Sequence, residues 1–390
     1  MLTISNIPVY VIDIINILEQ AGFSSYLVGG CVRDSVLGKN PHDWDITTEA
    51  SPDSVFELFP HSIPTGLKHG TVSVVSPEKQ IVEVTTFRID GEYKDSRRPE
   101  NVVFSKNIND DLSRRDFTMN AIAYSPLRGI ADPFDGMSDI KNKKIRCVGN
   151  PDSRFSEDAL RMMRAIRFSA VLDFDLSKDI LDSILKLNSL LKNISIERIR
   201  DEFSKTLLSS SPSKILLYEE LCLIQHFLPE FERSVDIDGL SLIPCTVPAR
   251  MAYLLHSVEK DIFQIMKRMR FDNKICSETA SICKCLNLPL PKNAQETRIM
   301  MSDKELFLGL LTSFIMRSAD DAILFYQDTL SQKHCISIQM LEIDGNILES
   351  LGIKDGIKKG TLLKHLLSEA LINPSLNTKE NLIKIVQEIR

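Results

Sequence analysis

A chain of 390 residues with 43% apolar side chains is long enough for two to four compact units and can bury a sizeable core. Its net charge of −6, from 47 basic and 53 acidic residues, excludes a bulk polycation, so any contact with nucleic acid must use a local basic surface. No apolar run approaches the ~20 residues of a membrane span.

The start, with Asp13 and Glu19 and no basic leader, reads as an amphipathic helix and not a signal peptide. The eight cysteines follow no framework spacing. Cys276, Cys283 and Cys285 lie close together but lack a histidine at zinc-site spacing, so reduced thiols in a cytoplasmic protein are expected. Residues 8–20 place apolar side chains at helical spacing and stop near Gly22. Tyr26–Val28 reads as a strand, Gly29-Gly30 as a turn, Cys31–Leu37 as a helical turn or two closed by Gly38, and Trp44–Thr48 as a second strand. The strand period of two would project Asp43 and Asp45 from one surface. Carboxylate oxygens suit Mg²⁺. A glycine turn entering a helix offers backbone N–H groups and a positive dipole end to a triphosphate. Together these residues predict a site for a metal–nucleotide complex.

Ser51 and Pro52 predict the N-cap and first position of a helix running through Leu58 and stopping at Pro60. Gly70–Val75 and Gln80–Phe87 read as a hairpin turning through Ser76–Lys79, and the face of Glu83 depends on its register. About four strands mixed with helices make the first 140 residues α/β or α+β. Arg88–Phe104 is a polar loop whose cations can meet phosphates. Ser113 is expected to cap a helix beginning at Arg114. Arg115 there can clamp a triphosphate, while Asp116 and Asn120 can hold a ribose hydroxyl. Ile130–Gly136 reads as a turn, and Lys143–Gly149 as the last strand of the unit.

From Pro151 the pattern becomes almost continuously helical. Glu157, Asp158, Arg161, Arg164 and Arg167 fall at spacings of three and four along one predicted helix, Ser156–Ala170. Three arginines there are more cation than the helix needs for its own pairing. A further helix begins at Ser195 and Glu197 and breaks at Ser209–Pro212; Pro229 ends the next. Lys267, Arg268, Arg270 and Lys274 form a cluster read as a solvated face. Leu306–Leu330 reads as one helical run, and the last 55 residues as amphipathic helices punctuated by glycines.

In this order the segments resemble the class II tRNA nucleotidyltransferase and poly(A) polymerase family over roughly residues 20–230. LVGGCVRD with DWDIT resembles its metal and triphosphate motif, and GEYKDSRRPENVVF its flexible loop. DLSRRDFTMNAIAY resembles the ribose-binding motif and RFSEDALRMMRAIRF the nucleotide-selecting E-D-x-x-R motif. ISIERIRDEFSKTLL with FLPE resembles the neck-to-body segment. Trp44 is bulkier than the small aliphatic frequent between the two aspartates.

The resemblance implies an α+β fold. A polymerase-β-like nucleotidyltransferase head of mixed sheet and helices (1–146) would be followed by an all-α neck (147–207), body (208–300) and tail (301–390). It implies Asp43 and Asp45 as catalytic ligands of two Mg²⁺ ions, and Gly30, Arg33 and Arg115 on the triphosphate. Asp116 and Asn120 would lie at the ribose and Asp158 and Arg161 at the base, with Arg164 and Arg167 on the nucleotide or supporting that pair. The implied reaction is template-independent addition of CCA to the 3′ end of tRNA from CTP and ATP, with no membrane involved and the choice of monomer or homodimer open. A-only, CC-only and poly(A) addition are the alternatives within the family, and a non-catalytic RNA binder the alternative outside it. The intact aspartate pair opposes the last, and the full loop opposes CC-only addition.

Base selection by an Asp–Arg pair follows from elementary chemistry. A carboxylate accepts from the exocyclic amino groups of cytosine and adenine and opposes the carbonyls of uracil and guanine, while arginine donates to the neighbouring ring nitrogen of C or A. One such pair can therefore admit CTP and ATP without a nucleic-acid template.

Overall fold

The computed structural model describes residues 7–67, 70–91, 102–231 and 237–389. They fall into two compact units, Met1–Pro229 and Glu230–Arg390.

The first unit begins with α1 (Val9–Gln20), which buries Val11, Ile14, Ile15 and Leu18 and ends before Gly22 in the left-handed region. Next come β1 (Ser25–Val28), α2 (Gly30–Val36) and β2 (Asp45–Thr48). In α3 (Pro52–Leu58), Ser51 accepts the Ser54 N–H at 3.2 Å and Pro52 opens the helix, as expected. β3 (Ser62–Gly66), which the sequence pattern did not suggest, precedes the hairpin of β4 (Thr71–Val75) and β5 (Ile81–Thr86). The expected loop over Arg88–Phe104 is bounded by a small separate hairpin, β6 (Arg88–Asp90) with β7 (Val102–Phe104); its residues 92–101 lie outside the described residues.

α4 (Ile108–Ser113) corrects the expected helix start. Asn107 caps it by accepting the Asn109 N–H, so Ser113 ends a helix and does not begin one. Beyond Arg114 the chain turns sharply. The buried Asp111 carboxylate accepts from both Arg114 and Arg115, and Phe117 bridges to Cys147. β8 (Ala123–Ser125) and β9 (Gly129–Ala131) complete the sheet, so part of the expected turn after Gly129 is strand. After α5 (Gly136–Lys141), the expected last strand shrinks to β10 (Lys144–Ile145), which leaves the main sheet.

The main sheet has the order β3-β4-β5-β2-β1-β8-β9. β2, at its centre, runs antiparallel to β1 and parallel to β5. Strands β1 and β2 are buried along nearly their whole length, as expected of strands covered on both faces. Helices α1 and α3 pack on each other and against β1, β4 and β5.

Helices follow. α6 (Pro151–Glu157) and α7 (Leu160–Leu172) divide what the periodicity suggested was one helix. The break is at Asp158, whose backbone is extended and whose carboxylate accepts the Leu160 N–H at 3.0 Å. β11 (Asp175–Leu176) pairs in parallel with β10, and α8 (Lys178–Leu187), α9 (Ile196–Leu207) and α10 (Leu216–Glu220) complete the unit.

The second unit is helical among its described residues: α11 (Val247–Leu255), α12 (Ile262–Arg268), α13 (Asn273–Leu286), α14 (Ala294–Ser302), α15 (Lys304–Met316), α16 (Asp320–Ser331), α17 (Gly345–Ser350), α18 (Gly356–Ile372) and α19 (Lys379–Glu388). The run expected over Leu306–Leu330 is two helices, with Ser318 at φ 50° between them. α13 and α15 cross closely at Gly309. A Cβ there would stand 2.3 Å from the Ile282 backbone nitrogen, so no larger residue fits. Two apolar clusters hold this unit, one around Leu310, Phe314 and Tyr326, the other around Leu348, Leu366 and Leu382.

Candidate active site

Strand pairing brings the chemistry-bearing segments to one end of the sheet. Leu27 lies opposite Ile46, so the end of β1 meets the start of β2. Val28 lies opposite Ala123, which places the Arg115–Asn120 segment beside the same end. In the turn leaving β1, Gly29 adopts φ 79° and ψ −130°, which L side chains rarely adopt. A Cβ on Gly29 would stand 3.0 Å from an Arg115 guanidinium nitrogen, so the glycine admits that arginine to the turn. Gly30 opens α2, and no side chain caps its first N–H groups.

Asp43 and Asp45 differ in setting. Asp45 opens β2 and is half-buried, whereas Asp43 is exposed in the bend before it. The expected strand thus starts one residue late, yet Trp44 between them is buried, so the alternation holds. The parallel register sets Glu83 of β5 beside Asp45, an alignment that the sequence left open. Burial pushes the Asp45 carboxyl up to about 6; Glu83 and Asp43 add to the rise, while Arg115 opposes it. Crowded carboxylates of this kind are relieved by a divalent cation, and oxygen donors are what Mg²⁺ prefers. Among the described residues no three such side chains already converge as a finished metal cage. Asp43 and Glu83, both exposed, would have to swing inward to complete one.

Arg115 faces this acidic end. Its Nη2 donates to Asp111 at 3.2 Å, while its buried Nε–H has no partner. A guanidinium whose Nη1 stands against a glycine turn fits an anionic ligand.

Arg33, the other expected triphosphate cation, is buried and already engaged. It donates to Asp34 at 2.8 Å and to the Asn120 side-chain oxygen at 2.6 Å. Asn120 in turn donates to Asp116 at 3.0 Å, and Arg164 binds Asp116 through two nitrogens at 2.9 and 2.6 Å. Burial alone would raise the Asp116 carboxyl. The Arg164 charge, with hydrogen bonds from Asn120, Arg164 and the Phe117 N–H, brings it down to about 2 instead. Arg167 pairs with Glu202 of α9 at 2.5 Å. The guanidinium groups of Arg33, Arg164 and Arg167 lie 5.1, 5.4 and 3.8 Å from the Phe168 ring centre. Asp116, Asn120, Arg33, Arg164 and Arg167 are therefore one network knitting the sheet end to α7.

The expected base readers also have partners. Asp158 accepts from Arg198 at 2.9 Å, and Arg161 donates to Glu157 at 2.6 Å and to the Arg114 backbone oxygen at 3.2 Å. Among the expected basic cluster of the second unit, Arg268 is bound to the buried Glu230 at 2.8 and 2.5 Å.

A family model described as the poly A polymerase head domain matches residues 25–146, and one described as a probable RNA and SrmB-binding site of polymerase A matches residues 173–234. The CCA-adding enzyme of Pediococcus pentosaceus is 35% identical over 375 residues, 92% of this chain and 93% of that protein. The chain belongs to the CCA-adding enzyme family. The crystal structure of the Bacillus stearothermophilus CCA-adding enzyme in complex with CTP matches with a TM-score of 0.83 at 30% identity, covering 97% of this chain and 96% of that one. The Thermotoga maritima CCA-adding enzyme complexed with tRNA shares the fold, with a TM-score of 0.68 at 19% identity and coverage of 99% and 97%. CCA-adding enzymes are nucleotidyltransferases that generally use divalent metals. Among the described residues no helix is long and apolar enough to cross a membrane.

Three residues of this CCA-adding family member escaped sequence reasoning: Glu83, Arg198 and Glu202. Glu83 sits in an alternating strand, where only register reveals its neighbour. Arg198 and Glu202 are spaced i, i+4 on an amphipathic helix, the one local hint that both face the same element.

Proposed function

We propose that this chain adds C, C and A to the 3′ end of tRNA, using CTP and ATP and releasing pyrophosphate, in the cytoplasm. The observation that carries the reading is the register that sets Glu83 beside Asp45, two residues after Asp43, with Arg115 against the Gly29 turn at the same sheet end. Asp43 and Asp45 would hold Mg²⁺, which when bound supplies charge neutralisation for attack of the RNA 3′-hydroxyl on the α-phosphate. Arg115 offers its guanidinium, with Nη1 against the Gly29 turn, to the triphosphate, and Gly30 its uncapped backbone at the start of α2. Arg33 acts from behind, orienting the Asn120 amide toward the ribose with Asp116. Asp158 and Arg161 read the base, while Arg164 and Arg167 brace the helix that carries Arg161. The head (1–146) performs the chemistry, the neck (147–207) selects the nucleotide, and the body (208–300) and tail (301–390) hold tRNA by its shape and phosphates.

The test is incubation of the purified protein with tRNA ending at the discriminator base, with CTP and ATP separately and together. Full CCA ends are expected only with both nucleotides. Addition of one nucleotide kind alone, or long A tracts, would refute the assignment. Asp43→Ala is expected to abolish addition, and an unchanged rate would remove the metal assignment.

A further inference from the structure

Asp158 does not stand on its own helix. It occupies the break between α6 and α7, with φ −142° and ψ 103°, where no regular hydrogen bonding fixes a side chain. Two groups fix it instead. The Leu160 N–H reaches Oδ1 at 3.0 Å, and Arg198 Nη2 reaches Oδ2 at 2.9 Å, with Nη1 at 3.5 Å from Oδ1. Arg198 comes from α9, 40 residues along the chain. The two side chains are only 25% and 15% exposed, so this is not a solvated surface pair of negligible weight. A carboxylate offers about four lone-pair sites. The three contacts take at most three of these, so acceptor capacity remains for an incoming amino group, in a direction that the donors dictate.

We propose that Arg198 is a positioning residue for nucleotide selection, holding Asp158 in the orientation in which it accepts from the amino group of cytosine or adenine. The proposal rests on the reading that Asp158 reads the base. Arg198 touches no substrate in this scheme. Its guanidinium, held against both carboxylate oxygens, stops the carboxylate from rotating. With Arg198 removed, Asp158 keeps only the Leu160 N–H, can swing, and tolerates the carbonyl of uracil that a fixed carboxylate repels. Pairing Arg161 with Glu157 serves the companion side chain in the same way, but there the partner is one helical turn distant and both groups belong to adjoining helices. The Arg198 contact is the one that ties base selection to α9.

Arg198→Ala and Asp158→Ala are compared with the unaltered chain by measuring kcat/KM for CTP, ATP and UTP on tRNA, together with thermal stability. The CTP-over-UTP ratio is expected to fall about tenfold or more in both, since a site built to satisfy one hydrogen-bonding pattern rejects another strongly only while its groups stay placed. The double variant should be no less selective than Asp158→Ala alone. Arg198→Lys, which keeps the charge and one donor, should be intermediate, and it stands in if Arg198→Ala does not fold. If the ratio falls in Asp158→Ala but holds in the Arg198 variants, the positioning role is overturned and base reading survives. An equal loss toward all three nucleotides in the Arg198 variants means a merely structural role and also overturns it. A ratio unchanged in Asp158→Ala removes base reading itself, and the proposal with it.

Discussion

Removing the Glu202 carboxylate tests whether the arginines of α7 are held by their neighbours or kept for a ligand. Glu202 is 5% exposed. It accepts from Arg167 Nε at 2.5 Å and lies 3.9 Å from Arg164, while the Arg167 guanidinium rests 3.8 Å from the Phe168 ring centre. In Glu202→Ala, Arg164 keeps its two contacts to Asp116, but the largely buried Arg167 charge loses its counter-ion Glu202. Breaking a buried pair from one side costs roughly 3–5 kcal/mol. The Arg167–Phe168 cation–π contact is present with and without Glu202, so it leaves this difference unchanged, and the partial exposure of Arg167 puts the loss at the low end. A net loss of about 3 kcal/mol is expected, a drop of roughly 6–12 °C in the melting of a unit of this size. Calorimetry on the full chain, following the transition of the first unit, reads it. The control is Glu202→Leu combined with Arg167→Met: replacing both partners by apolar groups of similar length should restore most of the stability, because no buried charge is left unpaired. A Glu202→Ala variant within about 0.5 kcal/mol of the unaltered chain, the usual scatter of an inert surface change, would refute the reasoning. So would a double variant as unstable as the single one.

Three further outcomes follow from the geometry. Gly29→Ala should cost about 1–3 kcal/mol, because its backbone angles exclude a side chain, and should lower kcat/KM for CTP and ATP well beyond that structural loss by displacing Arg115; normal kinetics in a folded variant would count against the Arg115 placement. Glu83→Ala is expected to weaken the apparent affinity for Mg²⁺ by roughly 10- to 100-fold, as loss of a partner around a metal site does, with the melting temperature held; an unchanged Mg²⁺ titration would detach Glu83 from the site. Asp116 titrates at about 2 in the folded chain against 3.8 ordinarily, so its contribution is fully present above about pH 4 and is lost as pH falls toward 2. That shift corresponds to roughly 2 kcal/mol. Urea unfolding between pH 5 and pH 2.5 should show a shallower fall for Asp116→Asn than for the unaltered chain, and equal slopes would discard the assignment.

Legibility followed the range of the interaction that decides each feature. The Ser51 cap, the turn through Lys79 and the end of α1 at Gly22 are settled within a few residues, and each was readable. The failures are places where a distant group overrides local preference. Ser113 looks like a cap because a hydroxyl before a charged run often is one. In the fold, Asp111 gathers Arg114 and Arg115 and bends the chain there, so the helix lies upstream. Asp158 looks like a mid-helix residue because the three-and-four spacing continues through it, yet its carboxylate captures the Leu160 N–H and breaks the helix.

The α7 arginines show why composition of one element cannot assign charge to a ligand. Their surplus over Glu157 and Asp158 is real within the helix, but the counter-charges come from Asp116 and Glu202, 48 and 35 residues away. Periodicity reports which side chains share a face and is silent about what faces them. Arg164 and Arg167, expected on the nucleotide or in support of the base-reading pair, are thus both held by distant carboxylates. Among the described residues of this site, Arg115 keeps a guanidinium nitrogen against the Gly29 turn; it lies outside any helix and was read as part of one. Gly29, which has no Cβ to push the Arg115 guanidinium away, keeps a cation against the turn at the acidic sheet end, where a phosphate would meet it already placed.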